Sequence, residues 1–159
     1  MMHNKLKLNE IVDMLDEVDD IRTAYLKMDT NEIVMLNMDY LAIAEDLEEE
    51  IDYKEFCDWE IELIDDAKSL LADDDNYIKL PDKFDINEYS IMERFAYSYD
   101  DDEISDKLLH EINGRGAFRR FSDIISMMGI RQEWFSFKQK HLEKVAKEWC
   151  ELNKIDILI

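Results

Sequence analysis

The sequence predicts an α+β fold in which a small antiparallel sheet, a hairpin plus a third strand with a C-terminal segment as candidate edge strand, is packed by five or six helices. Three observations lead there. Apolar residues recur every three to four positions over most of the chain. Two short runs rich in β-branched, aromatic and other apolar residues flank Asp29-Thr30-Asn31. At 159 residues, with 47% hydrophobic and 11% aromatic side chains, the chain holds enough apolar surface for one core and too much for a disordered acidic tail. A single domain over residues 1–159 is therefore expected.

The elements follow in order. Ile11, Val12, Leu15 and Val18 lie on one face of a short helix from Asn9 to Val18, with Asn9 placed to cap its first turn. Thr23–Met28 and Glu32–Leu36 form the hairpin, because Asp29, Thr30 and Asn31 suit a tight turn. Residues 39–72 read as helix, with Tyr40, Ala44, Leu47 and Ile51 on one stripe and Phe56, Trp59, Leu63 and Ala67 on another. The five-residue step from Ile51 to Phe56 breaks the 3.6-residue period and predicts a kink or two helices. Asp73-Asp74-Asp75-Asn76 is a loop, and Tyr77–Leu80 is a third strand closed by Pro81.

Asp85 and Glu88 have capping-box spacing ahead of a helix carrying Tyr89, Met92, Phe95 and Ala96. That helix should stop near Asp100-Asp101-Asp102. Another, with Ile104, Leu108 and Ile112, should end at Asn113-Gly114. The next lies between Gly116 and Gly129, with Phe118, Phe121, Ile125 and Met128 on its stripe. The last runs from about Gln132 to Leu152 with Phe135, Leu142, Val145, Trp149 and Leu152 inward, and Ile155–Ile159 is the candidate edge strand. Cys57 and Cys150 lack metal-ligand spacing and are expected as packed free thiols.

Charge is the strongest global signal, and its distribution matters more than its total. Of a net charge of -21, residues 1–103 supply 32 acids and 9 bases, a net of -23, whereas residues 104–159 supply 8 acids and 10 bases, a net of +2. Twelve carboxylates fall in residues 45–66 against one base, Lys54. On one continuous helix those 22 residues would span roughly 33 Å, giving one net negative charge per about 3 Å. That is close to the spacing of a single nucleic-acid strand, about 3.4 Å. Direct binding to nucleic acid or anionic lipid is unexpected, because no cationic patch is large enough to neutralise several phosphates. No apolar run approaches membrane-spanning length, and Met1–Asn9 does not resemble a signal peptide, so a cytoplasmic location is expected.

The segment Gly114-Arg115-Gly116-Ala117-Phe118-Arg119-Arg120-Phe121, followed by Glu133-Trp134-Phe135-Ser136-Phe137, resembles uncharacterised protein family 0158 of the UPF series. The resemblance also takes in the hairpin, the Tyr77-Ile78-Lys79-Leu80-Pro81 segment and the order of helices, and so spans nearly all of the chain. Asn31 stands where relatives are expected to carry a hairpin glycine, and the acid load of residues 45–75 is unusually heavy. The family name brings no assigned activity.

Two groups of residues remain as candidate sites. Arg115, Arg119 and Arg120 surround two glycines at the start of a helix, where free N–H groups and the helix dipole favour an anion. In the plainer reading the glycines end one helix and begin the next, and Arg119 and Arg120 pair with Asp123. Glu45, Asp46, Glu48, Glu49, Glu50, Asp52, Glu55 and Asp58 form the core of a candidate acidic interaction face, with a solvated helix face as the alternative. Enzymatic patterns are missing: His3, His110 and His141 have no HExxH-like neighbour, and neither a Walker sequence nor a Gly-x-Ser-x-Gly elbow occurs. The expected function is a non-enzymatic acidic protein, of inhibitor or immunity type, that engages a basic protein surface without cofactor or metal. The alternative is a small-anion or phosphoester-handling protein using the arginines.

Overall fold

A computed structural model describes residues 5–46 and 53–158. By internal contacts the chain forms two compact units, Met1–Asp85 with Val145–Ile159, and Ile86–Lys144. The change in charge after residue 103 falls inside the second of these.

In the first unit, β1 (Leu6–Lys7) leads directly into α1 (Leu8–Glu17), which buries Leu8, Ile11, Val12 and Leu15 along the stripe its spacing requires. Asn9 lies inside this helix instead of capping it. The first turn is closed by Glu10, whose carboxylate accepts from the Lys7 N–H at 3.3 Å. The antiparallel sheet has the order β3-β2-β4, from β2 (Arg22–Lys27), β3 (Glu32–Asn37) and β4 (Tyr77–Lys79). Tyr25 stands opposite Val34 on one side and Lys79 on the other.

Asn31, at φ 57, takes the left-handed backbone that the hairpin turn needs. The acidic loop after residue 72 contains a 3₁₀ turn, Asp74–Asn76, that fastens the hairpin. Asn76 accepts from Met28 N–H through its carbonyl at 2.7 Å and from Asp29 N–H through its side chain at 3.0 Å.

The broken period between Ile51 and Phe56 separates two helices, α2 (Met38–Asp46) and α3 (Asp58–Ala72), with a 3₁₀ turn at Tyr53–Glu55 before the second. Leu47 and Ile51 lie outside the described residues. Leu36, Leu41, Ala44, Ala67 and Leu70 form a buried aliphatic cluster with Tyr25 and Tyr77 packed against it. Trp149 is buried, and its indole N–H donates to the Lys79 carbonyl at 2.9 Å. The C-terminal alternation does form a strand, β5 (Ile157–Leu158), but it pairs in parallel with β1 as a separate two-stranded sheet, Leu6 opposite Ile157.

Asp85 does not cap the helix that follows it. It exchanges hydrogen bonds with Asp82, each carboxylate accepting from the other's N–H at 3.0 Å, and so closes the short α4 (Lys83–Ile86). The cap of α5 (Glu88–Ser98) is Asn87, left-handed at φ 51, whose side chain accepts from Ser90 N–H at 3.2 Å. In the second unit α5 is followed by α6 (Asp102–Glu111), capped by the Asp101 carboxylate, by α7 (Ala117–Met128) and by α8 (Arg131–Leu152) as far as Lys144, the rest of α8 belonging to the first unit. Gly116 and Gly129 bound α7, both left-handed.

An aromatic cluster forms the core of this unit. Phe95 meets Tyr99, Phe121, Trp134 and Phe137 edge to face, with ring centroids 5.4 to 6.2 Å apart.

Three side chains expected inward point outward. On α7 the buried positions are Ala117, Phe121, Ile124 and Ile125, so the buried stripe runs beside Phe118, which is 50% exposed. On α8 Trp134 and Phe137 pack against the aromatic cluster, which turns Phe135, one position from Trp134, into solvent at 55%. Leu152, in the last turn, is 82% exposed. Cys150 is a buried free thiol as expected, whereas Cys57 is free and exposed rather than packed. Among the described residues, no helix is long and apolar enough to cross a membrane.

Candidate interaction surface

α2 and α3 pack through Leu41 and Ala44 against Ala67 and Leu70, which leaves the opposite side of α3 to solvent. The start of α3 is built by Glu60. Its carboxylate accepts from the Cys57 N–H at 3.2 Å and from the Tyr40 hydroxyl at 2.9 Å, joining the helix end to α2. The Cys57 backbone N–H, the Tyr40 hydroxyl and the Cys57 thiol, all donating to the charged form, hold the Glu60 carboxyl below its usual range. The same contacts raise both partners. Desolvation and Glu60 push Tyr40 up, and Glu60 pushes the Cys57 thiol up by hydrogen bonding and charge.

Tyr40 also orients Trp59. The two rings meet edge to face at 6.2 Å and 76°, yet Trp59 remains 59% exposed. Of the stripe Phe56, Trp59, Leu63 and Ala67, only Ala67 is fully buried. The buried stripe of α3 is Ile64, Ala67 and Leu70, with Trp59 at its outer edge. Tryptophan is enriched at protein interfaces, so this exposed ring marks a candidate contact.

Carboxylates surround it. Asp58 and Glu62, four residues apart on α3, share the helix face next to Trp59, and both are exposed, as is Glu55 in the preceding turn. None of these three makes an ion pair among the described residues. Further along, Asp66 is raised by desolvation and by the charges of Glu62 and Asp65, against which Lys27 acts in the other direction. Burial first, and the neighbouring carboxylates after it, thus disfavour ionisation of Asp66.

Of the carboxylates singled out in the sequence, Glu45 and Asp46 are exposed at the end of α2, while Glu55 and Asp58 are exposed at the start of α3. Glu48, Glu49, Glu50 and Asp52 lie outside the described residues. Because Tyr53–Glu55 is a 3₁₀ turn and α3 begins only at Asp58, residues 45–66 are not one continuous helix. The strand-like spacing of one charge per about 3 Å, which rested on that helix, therefore does not apply.

The arginine block has a different geometry. Arg120 sends its guanidinium back over the end of α6. Its Nε donates to the Glu111 carbonyl at 3.0 Å, and its two terminal nitrogens donate to the carbonyls of Arg115 and Asn113. The Glu111 carboxylate lies 3.5 Å from Nε. These carbonyls lie at and just beyond the C-terminal end of the helix, where partial negative charge accumulates, so one planar cation closes the α6–α7 turn. Gly116 makes room for it: a Cβ there would stand 3.1 Å from the guanidinium, at a φ of 76 that already favours glycine. Arg115 and Arg119 are exposed, and neither Arg119 nor Arg120 pairs with Asp123. The three arginines therefore do not converge on one point. The chain matches no family model, no curated protein and no solved structure.

Proposed function

We propose that the chain is a non-enzymatic interaction protein whose acidic first unit engages a basic protein surface, such as that of a nucleic-acid-binding protein or a nuclease toxin, in the manner of an inhibitor. The observation that carries this reading is Trp59, held against Tyr40 and exposed beside Glu55, Asp58 and Glu62, carboxylates that make no ion pair among the described residues. An arginine or lysine approaching this face meets an indole ring for cation–π contact and carboxylates for ion pairing within one side chain's reach. The 29 acidic and 10 basic residues of the first unit, a net of -19, add long-range steering toward a cationic partner and repulsion from nucleic acid.

The arginine block supports the anion alternative less, since Arg120 is occupied by three carbonyls. Kinship with uncharacterised protein family 0158 remains a proposal resting on the Gly114–Phe121 block, and it adds no activity. The test is capture from native lysate at low and high salt, with bait carrying either the natural face or Trp59→Ala with Asp58→Asn and Glu62→Gln. A basic protein should be retained by the natural bait at low salt, released at high salt and missed by the variant. Identical capture by both baits would remove Trp59 and its neighbours from the interface.

A further inference from the structure

The second unit carries a groove of about 590 Å³, within the size range of small-molecule sites. Its apolar lining comes from the end of α5 and from α8. Phe95 lies at the base, with Tyr99 and Phe137 against it edge to face at 5.6 and 5.4 Å. Beside the neutral Ser98, Gln132 and Ser136, its charged lining is mostly acidic: Asp100 and Asp101 from the α5–α6 connection and Glu133 from α8, against one base, Lys140. On α8, Glu133, Phe137 and Lys140 recur at helical spacing, so one helix face presents both the ring and the charges.

We propose that this groove is a binding site for a small quaternary ammonium ion, with Tyr99 and Phe137 contacting its alkyl groups and Glu133 and Asp100 supplying the countercharge. Aromatic walls with a carboxylate rim are what such a cation requires. It is weakly hydrated, gains from the negative faces of aromatic rings and needs charge balance without a tight hydrogen bond. Asp101 is occupied in capping α6, where it accepts from Glu103 and Ile104 N–H, so it contributes field rather than contact.

The Tyr99 hydroxyl records that field. Its pKa is raised by desolvation first, and then by the charges of Glu133, Asp101 and Asp100, carboxylates from two separate parts of the unit that act on one point. This inference is independent of the protein interface on the first unit.

The test is a titration of the whole chain with choline, followed by the ring resonances of Phe95, Tyr99 and Phe137, beside a parallel titration with 3,3-dimethylbutan-1-ol, its uncharged isostere. Choline should give saturable shifts confined to these rings, and the alcohol at least roughly tenfold weaker ones, since charge supplies the cation–π attraction. Glu133→Gln, an exposed position that leaves folding intact, should weaken choline by about twofold to fivefold, and Lys140→Gln should tighten it by a similar factor. Tyr99→Leu should weaken it roughly tenfold. If that variant unfolds, the two α8 variants decide. Equal response to choline and the alcohol, shifts that fail to saturate, or affinity unchanged in both Glu133→Gln and Lys140→Gln would overturn the proposal.

Discussion

The two compact units are held together by different means. The first carries a net charge of -19 and packs aliphatic residues of a small sheet against helices, whereas the second has 11 acids and 9 bases, a net of -2, around an aromatic cluster. Self-repulsion of this size opposes compactness, is screened by salt and is relieved as carboxylates protonate. The first unit should thus respond to pH and ionic strength, and the second to the loss of packed volume. The exposed Trp59 lies in that same acidic unit.

The largest effect should come from the aromatic cluster. Phe121→Ala removes a buried ring that meets both Phe95 and Trp134 and should cost about 3 to 5 kcal/mol, against a change within about 0.5 kcal/mol for Phe118→Ala on the same helix. Chemical denaturation of both variants checks this. Equal losses would erase the distinction between the two faces of α7.

Next in size is the α6–α7 turn. Arg120→Met leaves the carbonyls of Glu111, Asn113 and Arg115 without their donor and should cost about 1 to 3 kcal/mol, whereas Arg119→Met should be near neutral. If added phosphate stabilises the wild type saturably and leaves Arg119→Met unchanged, the anion reading returns despite the separation of the arginines.

Acid titration separates two carboxylates of the first unit by sign. Glu60 is held below its usual value of 4.5, so its contribution to stability is present above that pH and is lost as pH falls through the lower folded value. Asp66 is raised above 3.8, so its ionised form at neutral pH opposes folding, and protonation relieves that opposition. At neutral pH, Glu60→Gln should lower the melting temperature and Asp66→Asn should raise it. Both differences should shrink toward zero in acid, and a Glu60→Gln loss that persisted below its folded pKa would show that the loss is packing rather than charge.

The cysteines give the smallest and simplest contrast. Cys57 is exposed, so a thiol reagent should label it in the folded protein, more slowly than a free thiol because Glu60 raises its pKa. Cys150 is buried and pushed up to about 11 from 9.0 by desolvation, so it should stay unlabelled until the chain unfolds. A raised folded pKa contributes stability below the unfolded value and loses it as pH climbs toward the folded one, so part of the alkaline loss between 9.0 and about 11 should vanish in Cys150→Ala.

Much of the fold was legible because local chemistry decides it. Asn31 marks the hairpin turn, Gly116 and Gly129 bound α7, and the five-residue step before Phe56 separates α2 from α3. What escaped depends on partners distant in sequence. Trp59 faces out because Ile64, Ala67 and Leu70 pack inward beside Leu41 and Ala44, and no periodicity within α3 ranks two apolar stripes. Arg120 has one carboxylate, Asp123, at ordinary helix spacing, and only the α6–α7 turn reveals that backbone carbonyls hold it instead. β1 and β5 are two residues each and pair across nearly the whole chain, too short to carry an alternation. The charge asymmetry was legible throughout. The exposure of Trp59 beside Tyr40 was not.

The proposed face around Trp59 is the point to measure. With the captured partner purified, its dissociation constant should be determined by calorimetry for the wild type, for Asp58→Asn with Glu62→Gln, and for a charge-matched control in the second unit, Glu93→Gln with Asp106→Asn, all four positions being exposed. The α3 variant should bind at least roughly tenfold more weakly and with a shallower salt dependence, while the control stays within about twofold of the wild type, because contact charges act at the interface and remote ones are screened. Equal weakening by both variants would mean that net charge alone drives association, and would contradict a docking face centred on Trp59.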